Sequence, residues 1–553
     1  MRTVHSTGIR IALLVLLCSS GSAADRAARS SEQLAAAIRE AKPGDRIVIA
    51  PGNYVLSAPV TVAPLTVEAA EAKNRPVLSP AEAGEDRFVL DVADVDGAVT
   101  LRGLVFDGEK KKVGALRTRN TRLVAEDCEF RDFAGITAIV TSVYGKDMAA
   151  HKGVHLARCV FRRNPNHEKD SDACGSALYS LGPALVEDCT LEDVRGGIVC
   201  QDWTKNPRRD YKVVVRRNRI YRTEGTDWKC HAVVTRTTAP EVYENLIHDL
   251  SRGDCSAMTI ASNGLDAQGT PTAALVYRNV IIDRWKAADS GMIHESIEYG
   301  EYHPTKGKIF ENVLVARVGA SPALYNKGDE NEWFNNTLVG ANRLFHCTGF
   351  RCRYYNNIMI GGRADGSYYS RKDMETEKAK AEVEIATIED SCFLKVEHIK
   401  DREFIKGKGY FEADPRFVDP EGLDFHLRCD SPCINKGSGS RDGLTPTDLG
   451  AFEYPIQVSG FRVDAKGEAT WAWANDFQKV SKRVRVRWSE NAFPASAEGE
   501  GAVTAAEVDA AGPAKAATGK TAGFFAAFVL DAKDRWSGAT PDNAHRFEMR
   551  ETR

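Results

Sequence analysis

Residues 308–315 read KIFENVLV, residues 332–339 read EWFNNTLV and residues 353–360 read RYYNNIMI, and each phrase holds an asparagine at the same place: Asn312, Asn336 and Asn357. The frame extends upstream through VVVRRNRI, EVYENLIH and LVYRNVII, which bring Asn218, Asn245 and Asn279 into register. Subtraction gives spacings of 27, 34, 33, 24 and 21 residues. Earlier still, LVAEDCEF, HLARCVFR and LVEDCTLE put Cys128, Cys159 and Cys189 in the slot. Self-similarity at this period means stacked repeats. Each repeat is a short β-branched run, a polar turn residue and a second apolar pair, which is strand–turn–strand rather than helix. An amide both donates and accepts, so asparagines stacked about 4.8 Å apart can bond to one another and to backbone.

These residues resemble the right-handed parallel β-helix (pectin-lyase-like) superfamily over roughly residues 30–455. The expected fold class is therefore all-β: a right-handed parallel β-helix solenoid with an N-terminal capping helix and a small C-terminal antiparallel β-sandwich. The solenoid form explains how 553 residues can form one long core, because the core grows along a single axis.

The chain begins with Arg2 and Arg10, the apolar run IALLVLLC and the small residues SSGSAAD. This three-part pattern reads as a secretory signal at 1–24, with cleavage after Ala23 or Ala24. The run is too short to span a membrane and no second candidate follows, so the expected location is extracellular or periplasmic. Thirteen cysteines, one of them Cys18 in the leader, suggest disulfides in such a compartment. Cys429 with Cys433 and Cys347 with Cys352 are close enough to pair locally, while Cys128, Cys159 and Cys189 would stack as buried thiols or as a bridge between neighbours. A net charge of −3 with mixed signs indicates no nucleic-acid footprint and no polybasic membrane patch. A monomer is expected.

Residues 31–41, SEQLAAAIREA, read as an amphipathic helix capped by Ser30 or Ser31. With the following KPGDRIVIAPGNY, it resembles the N-terminal cap of many secreted β-helix enzymes, polysaccharide lyases included. Coils are expected from about 48 to 362, an insertion with helical character at 363–410, and a closing segment at 411–455. From 456 to 553, TWAWA, RVRVRW and GFFAAFVLDAKDRWS alternate apolar and polar residues and resemble a fibronectin type III-like sandwich.

Chemistry is expected on a flat side of the solenoid. Aligning a second strand of each coil puts Asp202, Arg236, Ser262, Ser296 and Lys327 in one column and Gln201, Thr235, Ala261, Glu295 and Asn326 in the next, with His294 beside Glu295. This is read as a polymer-binding strip. Elimination from a uronic acid needs its carboxylate neutralised, a base for the carbon-5 proton and an acid for the leaving oxygen. Lys327, His294 and His231 are the candidate bases, with Arg236 and Glu295 in support. Long loops add Trp203, Trp228, Tyr299 and Tyr302, which suit stacking on sugars, and Asp202 and Asp329 add polar recognition. Ca²⁺ is compatible with carboxylates at Asp202, Asp254 and Asp289, although no spacing specifies it and the cofactor stays open. The alternatives are ordinary solvated charges and loop anchors.

The phrase GASPALYNKGDENEWFNNTLVG resembles the stretch around the catalytic arginine in family 6 polysaccharide lyases (alginate lyase and chondroitinase B). Where that motif has arginine and histidine, this chain has Asn326 and Lys327; where the family has its lysine strand, MIHESIEYG offers Glu295 or Ser296. The family's catalytic roles are therefore not carried over. The expected function is binding and β-elimination of an extracellular, uronate-containing polysaccharide. The alternatives are a glycoside hydrolase, for which Glu295 with Asp329 or Asp202 would supply the carboxyl pair, and a non-catalytic surface-binding protein.

Overall fold

The computed structural model describes most of residues 23–547; the longer segments outside it are 58–63, 142–151, 165–175, 202–211, 222–230, 250–255, 263–272, 284–292, 296–305, 367–385, 439–446, 474–480 and 532–543. Three parallel sheets form the body. Sheet A has 15 strands, from Asp25–Ala28 to Ile405–Lys408. Sheet B has 14, from Asn53–Leu56 to Phe411–Glu412, and sheet C has 12, from Phe88–Ala93 to His398–Lys400. The chain visits A, B and C in turn, and each strand pairs in parallel with its counterpart one coil away. This is a parallel β-helix, wound in the right-handed sense that twisted parallel strands favour.

Alternation along each strand fills the core. In sheet A one column runs Leu156, Val186, Val215, Val242, Val276, Ile309, Trp333 and Tyr354, all with no accessible surface. In sheet B, Phe106, Phe130 and Phe161 stack with centroids 5.1 and 4.8 Å apart.

The asparagine slot sits at the corner between A and B and forms an unbroken ladder. From Asn245 to Asn357 each Oδ1 accepts from both the backbone N–H and the Nδ2 of the asparagine one coil before it; for Asn279 onto Asn312 the distances are 3.0 and 2.9 Å. Each Nδ2 also donates to a sheet A carbonyl one coil further back, as Asn279 does to Val242 at 2.9 Å. Ser391 receives the N–H of Asn357 at one end, and the N–H of Cys189 reaches Asn218 at the other. Below that, Cys128, Cys159 and Cys189 are buried thiols, and the Cys159 N–H meets Cys189 Sγ at 3.4 Å.

The residue before each slot makes the turn. Asp127, Arg158, Asp188, Arg217, Glu244, Arg278, Glu311, Asn335 and Asn356 all have φ between 53° and 56°, the left-handed region. None is β-branched, the class for which that region costs most.

The helix Ser31–Arg39 closes the first coil as expected: Ser30 Oγ accepts from the Gln33 N–H, and Leu34, Ala37 and Ile38 are buried with Ile47, Ile49 and Tyr54. An additional strand, Asp25–Ala28, precedes it and starts sheet A.

One expectation changes. Residues 363–410 are not a break in the frame: Arg363–Gly366, Ala386–Glu389, Cys392–Leu394, His398–Lys400 and Ile405–Lys408 are further strands of the three sheets. The charged stretch inside it, 367–385, lies outside the described residues. The closing segment, whose place the sequence left open, adds Phe411–Glu412 to sheet B. It straps the outer face of sheet B, where Phe417, Phe425, Leu427, Leu449 and Ala451 bury Val313, Val315 and Ile358. The Ala451 N–H bonds Thr337 Oγ1 at 2.9 Å, and Asn356 bonds Ser438 through both its amide atoms, each at 2.8 Å.

The C-terminal region forms two antiparallel sheets. Val458–Val463, Glu468–Trp473 and Lys515–Ala517 make one; Val503–Asp509, Ser481–Ser489, Gly523–Asp531 and Ala544–Phe547 make the other. Both contribute to one core, including Phe461, Trp471, Val484 and Phe525, so this is a β-sandwich.

Candidate functional site

The outer face of sheet C is fixed by its register. Thr235 pairs with Ile260, Ile260 with Glu295, Glu295 with Asn326 and Asn326 with Cys347. Thr235, Ile260, Asn326 and Cys347 are fully buried, so this column faces the interior. The adjacent column faces outward: Val199, Val234, Thr259, His294, Tyr325, His346, Asp365 and Lys400 in succession.

This corrects the sequence alignment by one residue in two coils, while Thr235, Glu295 and Asn326 share a column as aligned. Arg236 pairs with Gln201 and Ala261, not with Asp202 and Ser262. Position 295 belongs to the interior column, while position 294 lies in the outward one, between Thr259 and Tyr325. A one-residue slip exchanges the two faces.

The outward column has two halves. Toward the N-terminus, Tyr179, Leu181, Val199 and Val234 form a small apolar cluster and are buried although they lie outside the solenoid core. Toward the C-terminus the column turns polar. The rings of Tyr325 and His346 stack with centroids 4.9 Å apart and planes 24° from parallel, and both are half-buried. An Arg343 Nη lies 3.5 Å from His346 Nδ1, a contact that suits a neutral imidazole with its proton on Nε2. Arg343 is in register with Arg363, about 4.8 Å away along the sheet. The result is a basic pair beside a phenol and an imidazole.

His231, a candidate base from the sequence, lies against Thr259 of the outward column. Its Nδ1 lies 3.1 Å from the Ser256 carbonyl and 3.3 Å from Thr259 Oγ1. Giving the Nδ1 proton to that carbonyl makes Nε2 the basic nitrogen. Asp329 is elsewhere: it is buried in the turn leading from Pro322–Asn326 to Glu332–Phe334, away from the outward column. The strands place Arg236, His294 and Glu295. Lys327, Asp202, Trp228, Tyr299 and Tyr302 lie outside the described residues, as does Trp203. Sequence reasoning missed Tyr325, His346, Arg343 and Arg363. The available signal was the strand RLFHC, one coil after PALYN in the same repeat.

Among the described residues no cluster of three or more His, Cys, Asp or Glu could hold a metal ion, and no helix is long and apolar enough to cross a membrane. No family model matches the chain, and no curated protein matches its sequence. Solved structures similar to it include a PL6 alginate lyase in complex with a trisaccharide, at 14% identity, covering 75% of this chain and 93% of that one, with a TM-score of 0.48. Another is an alginate lyase from Paenibacillus sp. str. FPU-7, at 14% identity, covering 49% of this chain and 99% of that one, with a TM-score of 0.32. A third is the catalytic domain of a GH87 alpha-1,3-glucanase in complex with tetrasaccharides, at 9% identity, covering 71% and 68%, with a TM-score of 0.37.

Proposed function

We propose that this is an exported enzyme that binds an anionic, uronate-containing polysaccharide along the outer face of sheet C and cleaves it by β-elimination. The observation that carries the reading is the stacked Tyr325–His346 pair with Arg343 at His346 and Arg363 next in register. Strands recurring every 4.8 Å suit an extended polymer, and the two guanidiniums suit its carboxylates. Arg236, on an earlier strand of the same sheet, is a further candidate contact to the polymer.

In this reading Arg343 and Arg363 neutralise the carboxylate and so acidify the carbon-5 proton. A neutral base takes that proton: His294, whose position the register sets between Thr259 and Tyr325, with Lys327 and the Nε2 of His231 as the other candidates. The electron pair forms the C4–C5 double bond, the glycosidic C–O bond breaks, and Tyr325 gives its phenolic proton to the leaving oxygen. Trp228, Tyr299, Tyr302 and Asp202 contribute sugar contacts from the loops. The leader at 1–24 exports the chain, which predicts a mature N-terminus at Ala24 or Asp25.

The test is a screen of residues 25–553 against alginate, pectate, chondroitin and dermatan, with and without Ca²⁺, following ultraviolet absorbance and reducing ends together. Elimination yields both signals, and Tyr325→Phe or Arg343→Ala lowers kcat/KM by roughly 100-fold or more. New ends without absorbance would mean hydrolysis. Retardation in a polymer gel without new ends would mean a binding protein.

A further inference from the structure

The strap over sheet B brings two cysteines together that are far apart in sequence. The outward column of that sheet runs Val280, Val313, Thr337, Ile358, Cys392. Cys433 arrives on it from the strap, and both cysteines are fully buried in the same apolar seam with Phe417, Phe425 and Leu449. The geometry there is fixed on both sides. Cys392 Sγ gives its hydrogen to the Ala413 carbonyl at 3.3 Å, the Cys433 N–H bonds Ser431 Oγ at 3.1 Å, and the Cys433 carbonyl accepts from the Leu449 N–H at 3.1 Å. Both are thiols in this structure.

We propose that Cys392 and Cys433 become joined by a disulfide that staples the strap to the outer face of the solenoid. With the strap docked, the two sulfurs interact directly, an interaction that holds the Cys392 thiol below its ordinary range and pushes the Cys433 thiol up. The Cys392 thiolate attacks one sulfur of a disulfide donor, such as oxidised glutathione, and expels the donor's other sulfur as a thiolate. Cys433, on losing its proton, then attacks Cys392 Sγ and expels the second donor sulfur. Two thiols are oxidised, one disulfide is reduced and the protons pass to the donor thiols. Because both sulfurs are buried once the strap has docked, the exchange takes place while it docks. This assignment differs from the local pairing of Cys433 with Cys429, and it does not depend on what the outer face of sheet C does.

The full chain, refolded with oxidised and reduced glutathione, is denatured without reductant, alkylated with N-ethylmaleimide and digested for mass spectrometry. The expected result is a linked peptide pair containing Cys392 and Cys433, absent after reduction. Maleimide on both residues, or Cys433 linked to Cys429 or any other partner, would overturn the proposal. Limited proteolysis adds a second readout. Reduced wild type, Cys392→Ala and Cys433→Ala should all be cut faster in the strap than the oxidised wild type, and equal rates would count against a staple. If either variant fails to fold, the peptide map of the wild type decides alone.

Discussion

At the scale of single residues, the ladder asparagines do the most for this fold. Asn279 uses its amide fully: Nδ2 donates to Asn312 Oδ1 and the Val242 carbonyl, while Oδ1 accepts from Asn245. All of this is buried. Removing it leaves two backbone groups, the Asn245 N–H and the Val242 carbonyl, short of partners. Asn279→Ala should therefore cost about 2–4 kcal/mol, measured as a shift in the chemical denaturation midpoint. Asn279→Asp should cost at least as much, because a carboxylate cannot donate to Asn312. Glu187 is the second sensitive residue. Burial raises its pKa, but hydrogen bonds from Arg216 and His155 and the charge of Arg217 outweigh it and bring the value to about 2, from an ordinary 4.5. A depressed carboxylate stabilises the fold above its unfolded value and loses that contribution as pH falls through the folded one. Stability should thus drop by about 2 kcal/mol between pH 5 and pH 2 on account of this group. Glu187→Gln should flatten that part of the pH profile; an unchanged slope would assign the acid sensitivity elsewhere.

At the scale of elements, the corner turns carry a pattern that the repeat frame alone did not bring out. Their left-handed residues alternate in sign from Asp127 through Arg158, Asp188, Arg217, Glu244 and Arg278 to Glu311. Arg158 grips Asp127 at 2.8 Å, Arg217 grips Asp188 at 2.8 Å and Arg278 grips Glu311 at 2.6 Å. The Arg158 and Arg217 pairs are substantially exposed, so each contributes at most about 1 kcal/mol. Reversal should matter more than removal. Arg217→Glu sets like charges beside Asp188 and Glu187, and should destabilise by about 1–3 kcal/mol in low salt, with much of the loss recovered in 1 M salt. Comparing unfolding midpoints at the two salt concentrations checks this. The strap gives a further test. Deleting 413–452 uncovers Val313, Val315 and Ile358, and should increase binding of a hydrophobic dye and aggregation.

Taken whole, the solenoid core and the sandwich core have no residue in common among the described residues. The solenoid core runs from Ala28 to Phe393, and the sandwich core from Val458 to Val529. Each has the layers it needs, so residues 456–553 expressed alone should fold cooperatively, with native-like tryptophan fluorescence from Trp471 and Trp488. A chain that stays unfolded in isolation would show that the sandwich depends on the solenoid.

What the sequence determined by itself was the solenoid, its capping helix and the ladder, because those depend on identical residues at a fixed place in each coil. A polar slot flanked by strands leaves little freedom: Asn312 is satisfied by Asn336 and Asn279 above and below it and by the Val276 carbonyl one coil back. What only the tertiary structure decided was the face of sheet C. Its strands carry no such slot, and the loops between coils vary in length, so nothing local ties Arg236 to Gln201 rather than to its neighbour. That single residue decides whether His294 or Glu295 shares the outward column with Tyr325 and His346. The same limit hid the last coils and the strap. A charged stretch at 367–385 interrupts the periodic pattern, and the contact between Cys392 and Cys433 joins positions that only folding brings together. Hydrophobic period is a property of the chain, but register is a property of the packed sheet.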